Sequence, residues 1–256
     1  MRLVRFDHNG RVSYGRLEGD GVRPLAGPPW QGLEALGPAL PLAAVRLLAP
    51  VLPSKIIAVG LNYRDHARES GMKPPDEPLI FSKAVSALIG PGQPVRLPGW
   101  AGRVDYEAEL AVVIGRKAKN LPQDRAAEAI LGLTCLNDVT ARQLQRQDGQ
   151  FTRAKGFDTF CPLGPWIETD LDSTDLAVRA ELNGRLVQEG RTRDMIFSVE
   201  ALISHITRVM TLHPGDVIAT GTPAGVGPLS AGDEIVVEVE NVGHLANPVT
   251  ADELTD

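Results

Sequence analysis

The stretch Tyr106-Glu107-Ala108-Glu109-Leu110-Ala111-Val112-Val113-Ile114 places two carboxylates at the start of an apolar run. The run from Leu110 to Ile114 is rich in β-branched residues and predicts a strand. Side chains alternate between the faces of a strand, so Glu107 and Glu109 should point the same way, with Cα atoms roughly 6.5 Å apart. Two anions on one face repel each other unless a cation lies between them. The stretch therefore predicts a strand and a candidate cation site together.

A third carboxylate, Asp138, follows a second apolar run, Ile130–Leu136. With Glu107 and Glu109 it would complete an all-oxygen site, which favours a hard ion such as Mg²⁺, Mn²⁺ or Ca²⁺ over Zn²⁺. A simpler interpretation leaves the two glutamates on the solvated face of a sheet and makes Asp138 a helix cap. The three residues alone leave both interpretations open.

Composition limits the classes of function that the chain can have. The 256 residues are 43% hydrophobic and 23% charged, as is ordinary for a soluble globular protein, and they suffice for one large core or for a large and a small domain. The net charge of −6 disfavours nucleic acid as a partner, since phosphate binding needs a basic face. The sequence has neither a basic amphipathic helix nor an apolar run of about 20 residues, so it does not predict contact with a membrane.

Two features of the sequence bear on the compartment. The first residues, Met1–Asp7, lack the apolar core of a signal peptide. The chain has two cysteines, Cys135 and Cys161, which disfavours a disulfide framework and favours a reducing environment. We therefore expect a cytoplasmic protein.

Turn residues divide the chain into a short and a long unit. The 26 glycines and 20 prolines are scattered between apolar runs, which indicates many strands joined by ordered turns. Residues 1–50 predict a small N-terminal β-rich domain, with a hairpin at Asn9-Gly10. Residues 51–256 predict a larger main domain.

In the larger unit, strands dominate and helices are few and interspersed, which predicts an α+β fold and argues against the regular βαβ alternation of a Rossmann or TIM architecture. Predicted strands are Lys55–Gly60, Leu79–Phe81, Val104–Ile114, Ile130–Asn137, Val217–Thr220 and Glu234–Glu240, with a hairpin about Asn183-Gly184; predicted helices are Leu61–Ser70, Val139–Arg146 with Asp138 near its start, and Ser198–Met210.

His66 and Glu69 are candidates for proton transfer. They lie three residues apart in a predicted helix and so share a face, where the carboxylate can orient the imidazole. A histidine oriented in this way can act as a general base near neutral pH. A surface helix of mixed charge is the alternative, because Arg64, Asp65 and Arg68 surround the pair.

Further polar residues could bind an anionic substrate. Lys155 beside a divalent ion would add positive charge, although a solvated loop lysine is the simpler interpretation. Arg142 and Gln145, four and seven residues after Asp138, would share its helix face and reach a carboxylate, or lie on the surface. Thr222 lies in a glycine-rich loop that could bind a carboxylate or could be a tight turn.

In combination these motifs resemble the fumarylacetoacetate hydrolase family, in its single-domain bacterial type. The order and spacing hold from about residue 55 to 248. The matching pieces are Gly60-Leu61-Asn62-Tyr63-Arg64-Asp65-His66, Tyr106-Glu107-Ala108-Glu109-Leu110, Asp138-Val139-Thr140-Ala141-Arg142, Lys155-Gly156-Phe157-Asp158, Cys161-Pro162-Leu163-Gly164-Pro165, Arg191-Thr192-Arg193-Asp194-Met195-Ile196-Phe197-Ser198 and Gly221-Thr222-Pro223-Ala224-Gly225-Val226-Gly227.

The resemblance implies a mixed β-roll with flanking helices, a homodimer, and bound Mg²⁺ or Mn²⁺. By position in the motifs, the implied metal ligands are Glu107, Glu109 and Asp138, and the implied catalytic residues are His66, Glu69 and Lys155. Arg142, Gln145 and Thr222 match substrate-binding positions.

The resemblance also implies chemistry on a small 2-oxo acid, through an enolate held by the metal. The preferred prediction is a C–C bond hydrolase or decarboxylase acting on an acylpyruvate, fumarylacetoacetate or an oxaloacetate-like acid. The closest alternative is a 2-hydroxyhepta-2,4-diene-1,7-dioate-type isomerase of aromatic catabolism. An alternative of another class is a metal-stabilised binding protein without catalytic activity.

Overall fold

Strands dominate the architecture, which we describe from a computed structural model for residues 1–252. The strands are β1 Arg2–His8, β2 Arg11–Glu18, β3 Gly21–Pro24, β4 Leu40–Pro41, β5 Arg46–Leu48, β6 Ile56–Gly60, β7 Leu79–Lys83, β8 Leu88–Ile89, β9 Val95–Leu97, β10 Val104–Tyr106, β11 Ala108–Ile114, β12 Ile130–Asn137, β13 Thr140–Ala141, β14 Cys161–Glu168, β15 Ala177–Leu182, β16 Arg185–Arg191, β17 Val217–Ala219, β18 Gly227–Pro228, β19 Glu234–Val239 and β20 Gly243–Ala251. The α-helices are α1 Arg64–Glu69, α2 Arg142–Asp148, α3 Thr152–Lys155 and α4 Val199–Val209. Short 3₁₀ helices span Pro29–Gln31, Leu42–Ala44, Val85–Ala87, Gln123–Ala129 and Thr192–Asp194. The predicted α+β class is confirmed.

Three sheets form within residues 1–252. The largest has the strand order β4-β3-β2-β1-β14-β12-β11-β17-β6-β7, with β5 beside β1 and β8 beside β14. A five-stranded sheet has the order β16-β15-β19-β20-β9, and a small one has the order β13-β10-β18. Most neighbouring strands are antiparallel, but β17 and β6 run parallel, so the large sheet is mixed.

Strand β11 lies near the middle of the large sheet and is buried on both faces. Leu110, Val112 and Ile114 face a core cluster that includes residues of the five-stranded sheet and of α4. Ala111 and Val113 face a second cluster on the other side. Burial on both faces explains why the run Leu110–Ile114 is continuously apolar. The two glutamates lie at the start of this rigid strand.

The first strands of the chain belong to the same large sheet. β1 pairs antiparallel with β14, with Leu3 opposite Ile167. The side chain of Leu3 is fully buried in the second core cluster with Ile167 and Val51. The predicted domain boundary near residue 50 stays a prediction. Residues 253–256 of the predicted second domain lie outside the described residues.

Both predicted hairpin turns form as expected. Asn9 and Gly10 join β1 to β2, and Asn183 and Gly184 join β15 to β16. All four residues have positive φ, which Asn and Gly accept at low cost. The helix predicted at Ser198–Met210 forms as α4, and the Ser198 side chain accepts a hydrogen bond from the Ala201 amide.

Two predicted elements are wrong in the region of Asp138. The expected helix Val139–Arg146 begins only at Arg142, because Thr140 and Ala141 pair with Asp105 and Val104 as β13. Asp138 consequently lies between two strands and not at a helix start. The expected continuous strand Val104–Ile114 is interrupted at Glu107, which separates β10 from β11.

One further element boundary differs from the prediction. The helix predicted from Leu61 begins at Arg64, since Leu61 has a φ of 57° and Asn62 is held by hydrogen bonds of its side chain to distant backbone groups. Within residues 1–252, every helix is too short or too polar to cross a membrane.

Candidate metal centre and active site

The structure brings the three predicted acidic residues together. Glu107, Glu109 and Asp138 are buried, and each offers one carboxylate oxygen within 4.8 Å of the others. The backbone fixes this convergence, because the Asp138 amide donates to the Glu107 carbonyl at 2.9 Å and the Ala108–Asn137 pair aligns the two strands. Residues that are far apart in sequence thus present oxygen ligands to one point.

Two buried lysines balance the charge of Asp138. Lys83 Nζ lies 2.6 Å from Asp138 Oδ1, and Lys155 Nζ lies 2.6 Å from Asp138 Oδ2. Lys155 Nζ also lies 2.9 Å from Glu107 Oε2 and donates to Thr140 Oγ1 at 2.8 Å. Lys155 therefore bridges two of the three carboxylates, as a charge close to the predicted metal position.

An arginine pairs with the outer side of the acidic cluster. Arg142 Nη2 lies 2.5 Å from Glu107 Oε1, and Arg142 Nε donates to Asp105 Oδ2 at 2.8 Å. Its Nη1 donates to Gln145 Oε1 at 3.0 Å, so Arg142 and Gln145 contact each other one helical turn apart. Asp105 also pairs with Arg103, at 2.6 Å to its Nε. The predicted shared helix face of these residues with Asp138 is wrong, since Asp138 lies outside the helix.

The surroundings drive the pKa values of the two glutamates apart. Burial disfavours the ionised form of each. For Glu107 the charges of Lys155 and Arg142 outweigh burial and lower the pKa. For Glu109 burial and the anions Asp138 and Glu107 act together, and they hold the pKa well above its usual range. The pair therefore favours one ionised and one protonated glutamate until a further cation is bound.

The loop after β17 closes one side of the cluster. The Gly221 amide donates to Glu109 Oε2 at 2.8 Å. Gly221 has a φ of 97°, and a Cβ there would lie 2.7 Å from the Asn62 Cβ, so this position requires glycine. Next along the chain, Thr222 Oγ1 donates to the Ala108 carbonyl at 2.8 Å. The loop is thereby attached to the backbone between the two glutamates.

Helix α1 carries the predicted histidine–carboxylate pair. His66 Nδ1 lies 3.1 Å from Glu69 Oε2, and the other Glu69 oxygen accepts from the Gly225 amide at 3.0 Å. Asp65 Oδ2 accepts from the Ala224 amide at 3.4 Å. Two carboxylates of the helix are therefore docked on backbone amides of the same glycine-rich loop, which fixes the orientation of the imidazole.

Most of the predicted site residues line one cavity of about 620 Å³, although Asp138 lies behind its wall. His66, Glu107, Glu109, Lys155 and Thr222 line it, as do Arg142 and Gln145. The rest of the wall is largely apolar and includes Leu61, Met72, Leu79 and Phe151. A cavity of this size accommodates a small organic acid.

Sequence reasoning missed several residues of the site. Lys83 lies at the end of β7 and pairs with Asp138, and nothing in the local sequence distinguishes it from a surface lysine. Asp105 extends the spacing of Glu107 and Glu109 by two residues, so an alternating acidic pattern would have revealed it. Gln188 contacts Ala108 and Thr222 from the distant hairpin, and no local signal marks it.

The donor set fits a hard divalent ion. Three carboxylates supply only oxygen atoms, they are buried together, and burial and two neighbouring anions raise the pKa of one of them, Glu109. The buried acidic triad could therefore hold a metal ion. Glu107 and Glu109 line the cavity, so such an ion would face a bound acid.

The protein therefore has a mixed β fold in which a buried acidic triad that could hold a metal ion and a histidine–carboxylate pair contribute to one cavity. Comparison with protein families identifies the class of protein. Residues 55–250 match the family described as fumarylacetoacetate (FAA) hydrolase C-terminal, and residues 1–50 match one described as Rv2993c-like, N-terminal. The chain belongs to the fumarylacetoacetate hydrolase family, and the resemblance found in its motifs is confirmed.

Individual relatives carry several enzyme names. The structure of 5-carboxymethyl-2-hydroxymuconate delta-isomerase from Mycobacterium smegmatis is 49% identical, with a TM-score of 0.94 over 98% of this chain and 100% of that one. The mitochondrial oxaloacetate tautomerase of Homo sapiens is 43% identical, over 86% of this chain and 74% of its own. The maleylpyruvate hydrolase of Sphingobium sp. SYK-6, in complex with manganese(II) and pyruvate, is 33% identical, with a TM-score of 0.82 over 99% of this chain and 100% of that one. The predicted fold type is confirmed, and the relatives are enzymes of more than one reaction class.

Proposed function

We propose that the protein is a Mg²⁺- or Mn²⁺-dependent enzyme that moves a proton at C3 of a small 2-oxo acid, as a tautomerase or isomerase. One observation carries this proposal: the His66–Glu69 pair lines the same cavity as Glu107 and Glu109. A proton-transfer group and an oxygen-ligand cluster therefore face one bound acid. Relatives named as a tautomerase and an isomerase, at 43% and 49% identity, support the same reaction class.

The residues of the cavity divide the work between binding and proton transfer. A divalent ion at the acidic triad would supply Lewis-acid stabilisation of the negative charge that develops on the 2-oxo oxygen. Lys155 adds a fixed positive charge on the same side of the cavity. His66, oriented by Glu69, takes the proton from C3 and returns it to the 2-oxo oxygen in a tautomerase or to another carbon in an isomerase. The apolar wall excludes water from the reacting carbon.

Carbon–carbon bond cleavage, by hydrolysis or decarboxylation, is the second candidate. It starts from the same enolate chemistry, and the maleylpyruvate hydrolase with its manganese and pyruvate is a relative along almost the whole chain. In this case His66 would activate a water molecule and not exchange a proton at carbon. A homodimer, implied by the resemblance, is part of either proposal, and sedimentation analysis tests it.

A substrate panel in D₂O tests the proposal. We expect Mg²⁺- or Mn²⁺-dependent deuterium exchange at C3 of oxaloacetate, acylpyruvates or a 2-hydroxy-dienedioate, followed by NMR, without loss of carbon atoms. Cleavage products would support the hydrolase or decarboxylase. Absence of any metal-dependent turnover would contradict both and favour a metal-stabilised binding protein.

Substitution of His66 separates catalysis from scaffold. His66→Ala should lower turnover by about 10²- to 10⁴-fold, the usual contribution of a general base. Metal affinity and melting temperature should stay near the parent values. A matched control is His244→Ala, since His244 also faces a carboxylate, Glu238 at 3.5 Å, but is mainly solvent-exposed. Equal activity of the two variants would remove His66 from the mechanism.

A further inference from the structure

Gln188 is a buried amide that reaches the metal centre from the other sheet. It lies in β16 of the five-stranded sheet and is 1% exposed. Its Oε1 accepts from the Ala108 amide at 3.0 Å, and its Nε2 donates to Thr222 Oγ1 and to the Pro223 carbonyl, each at 2.9 Å. The side chain therefore spans the gap between the Glu107–Glu109 segment and the glycine-rich loop.

The chemistry of its partners fixes the orientation of this amide. The backbone N–H of Ala108 can only donate, so it must face Gln188 Oε1. The carbonyl of Pro223 can only accept, so it must face Nε2. In a flipped amide, Nε2 would face the N–H of Ala108 and Oε1 would face the carbonyl of Pro223, and neither pair can form a hydrogen bond. Gln188 therefore has one allowed arrangement, and the position of its donor is determined.

This arrangement in turn determines the hydroxyl of Thr222. Since Thr222 Oγ1 accepts the hydrogen bond from Gln188, its single proton is donated to the Ala108 carbonyl, at 2.8 Å. A closed ring results, from the Ala108 amide to Gln188, from Gln188 to Thr222, and from Thr222 back to the Ala108 carbonyl. Ala108 is held on both sides of its backbone, directly between Glu107 and Glu109.

The same part of β16 supports the glycine-rich loop that contacts helix α1. Gly225, whose amide holds Glu69, has a φ of 100°, and a Cβ there would lie 2.6 Å from the Val187 carbonyl oxygen and 3.1 Å from Gln188 Cγ. The loop thus packs closely on residues 187 and 188. A shift of this strand would move the Thr222 hydroxyl and the Glu69 anchor together.

We propose that Gln188 is a positioning residue, whose amide holds the Glu107–Glu109 segment and Thr222 in one fixed register. The proposal rests on the proposed metal-dependent function, because the register matters through the ion and the acid that the cavity would bind. Gln188 acts through Ala108 and Thr222 and does not itself touch the substrate.

A double-mutant cycle on Mn²⁺ affinity tests the ring. Gln188→Met keeps the length of the side chain and removes its hydrogen bonds, and Thr222→Val removes the hydroxyl at nearly constant volume. Each should raise the Kd for Mn²⁺ by about tenfold, the lower range for residues that orient metal ligands. Either change opens the same ring of hydrogen bonds. The Kd of the double variant for Mn²⁺ should therefore be no higher than the larger of the two single-variant Kd values. Gln147→Met, on the exposed face of α2, is the control for the substitution itself.

The outcomes separate positioning from a general structural role. A lower melting temperature with unchanged Kd for Mn²⁺ and unchanged KM would overturn the proposal, as would single effects that multiply in the double variant. Should Gln188→Met fail to fold, Thr222→Val and Thr222→Ser carry the comparison, since serine keeps the hydroxyl that accepts from Gln188 and donates to the Ala108 carbonyl. A parent protein that binds no Mn²⁺ would contradict the metal site and this proposal together, whereas normal parent binding with unaffected variants contradicts Gln188 alone.

Discussion

Charge at individual residues determines what the centre can bind. Lys83, Lys155 and Arg142 form ion pairs with Glu107 and Asp138. Within residues 1–252 no ion pair reaches Glu109, which accepts a hydrogen bond from the Gly221 amide. Glu109 is therefore the member of the triad whose ionised form a bound cation would stabilise most.

Metal binding should release a proton from Glu109. Burial and the neighbouring anions raise the pKa of Glu109 well above the usual range, which favours the protonated carboxyl, and this carboxyl must ionise to act as a ligand. The affinity for Mn²⁺ should consequently rise with pH, by up to about tenfold per pH unit while one proton is displaced per ion. Calorimetry in two buffers of different ionisation enthalpy measures that proton.

The variant Glu109→Gln provides the control for this proton release. It should weaken Mn²⁺ binding by more than about tenfold and abolish the pH-dependent part. Glu69→Gln makes the same chemical change at a residue outside the triad and should leave the affinity close to the parent value. Unchanged affinity in Glu109→Gln would remove Glu109 from the ligand set.

At the scale of elements, helix α1 depends on contacts outside itself. It has only six residues, too few for a stable isolated helix. Asn62, just before it, is fully buried and accepts from the Phe197 amide at 2.9 Å, while its side chain donates to the Thr220 carbonyl at 2.7 Å. The helix that carries His66 is thus attached to the chain segments that precede α4 and follow β17.

We expect Asn62→Ala to destabilise the protein markedly. It would remove the Asn62 hydrogen bonds to the buried Thr220 carbonyl and to the partly buried Phe197 backbone, which costs about 3 kcal/mol in total. For a chain of this size that corresponds to a fall in Tm of roughly 6–12 °C, measured by calorimetry. Arg68→Ala, on the exposed side of the same helix, should change Tm by only about 1–2 °C. A small shift for Asn62→Ala would contradict its role as an anchor.

Elements with a local code could be predicted, and those formed by distant pairing could not. The hairpins at Asn9-Gly10 and Asn183-Gly184 follow from turn chemistry, and α4 follows from its apolar face. The sequence after Asp138 has the composition of a helix, but pairing of Thr140 with Asp105 takes precedence and delays the helix to Arg142.

The same distinction applies to the site. The carboxylates, His66 and Lys155 could be selected because their residue types and motifs carry information along the chain. Lys83 and Gln188 could not be selected from the sequence. Lys83 contacts Asp138, which lies 55 positions away, and Gln188 contacts Thr222, which lies 34 positions away. The tertiary fold alone makes them part of the centre.

At the scale of the whole molecule, the first strand links the N-terminal strands to the rest. β1 joins the N-terminal strands to β14, and β14 is followed in the large sheet by β12 and β11, which carry the acidic triad at their ends. Leu3 is buried in a core cluster shared with Ile167 and Leu163 of β14. Residues 1–50 match a family model of their own, but the sheet is continuous across that boundary.

We therefore expect residues 1–50 and the remainder to unfold together. Leu3→Ala should cost about 3 kcal/mol, within the range for a buried leucine, and lower Tm by roughly 6–12 °C. Val12→Ala, at a position on β2 that is 49% exposed, is the control and should have a small effect. In differential scanning calorimetry the parent and Leu3→Ala should each show one transition, which moves as a whole. If Leu3→Ala instead splits the transition in two, with the second at the parent temperature, then the N-terminal strands fold as an independent domain and their pairing with β14 contributes nothing to the stability of the centre.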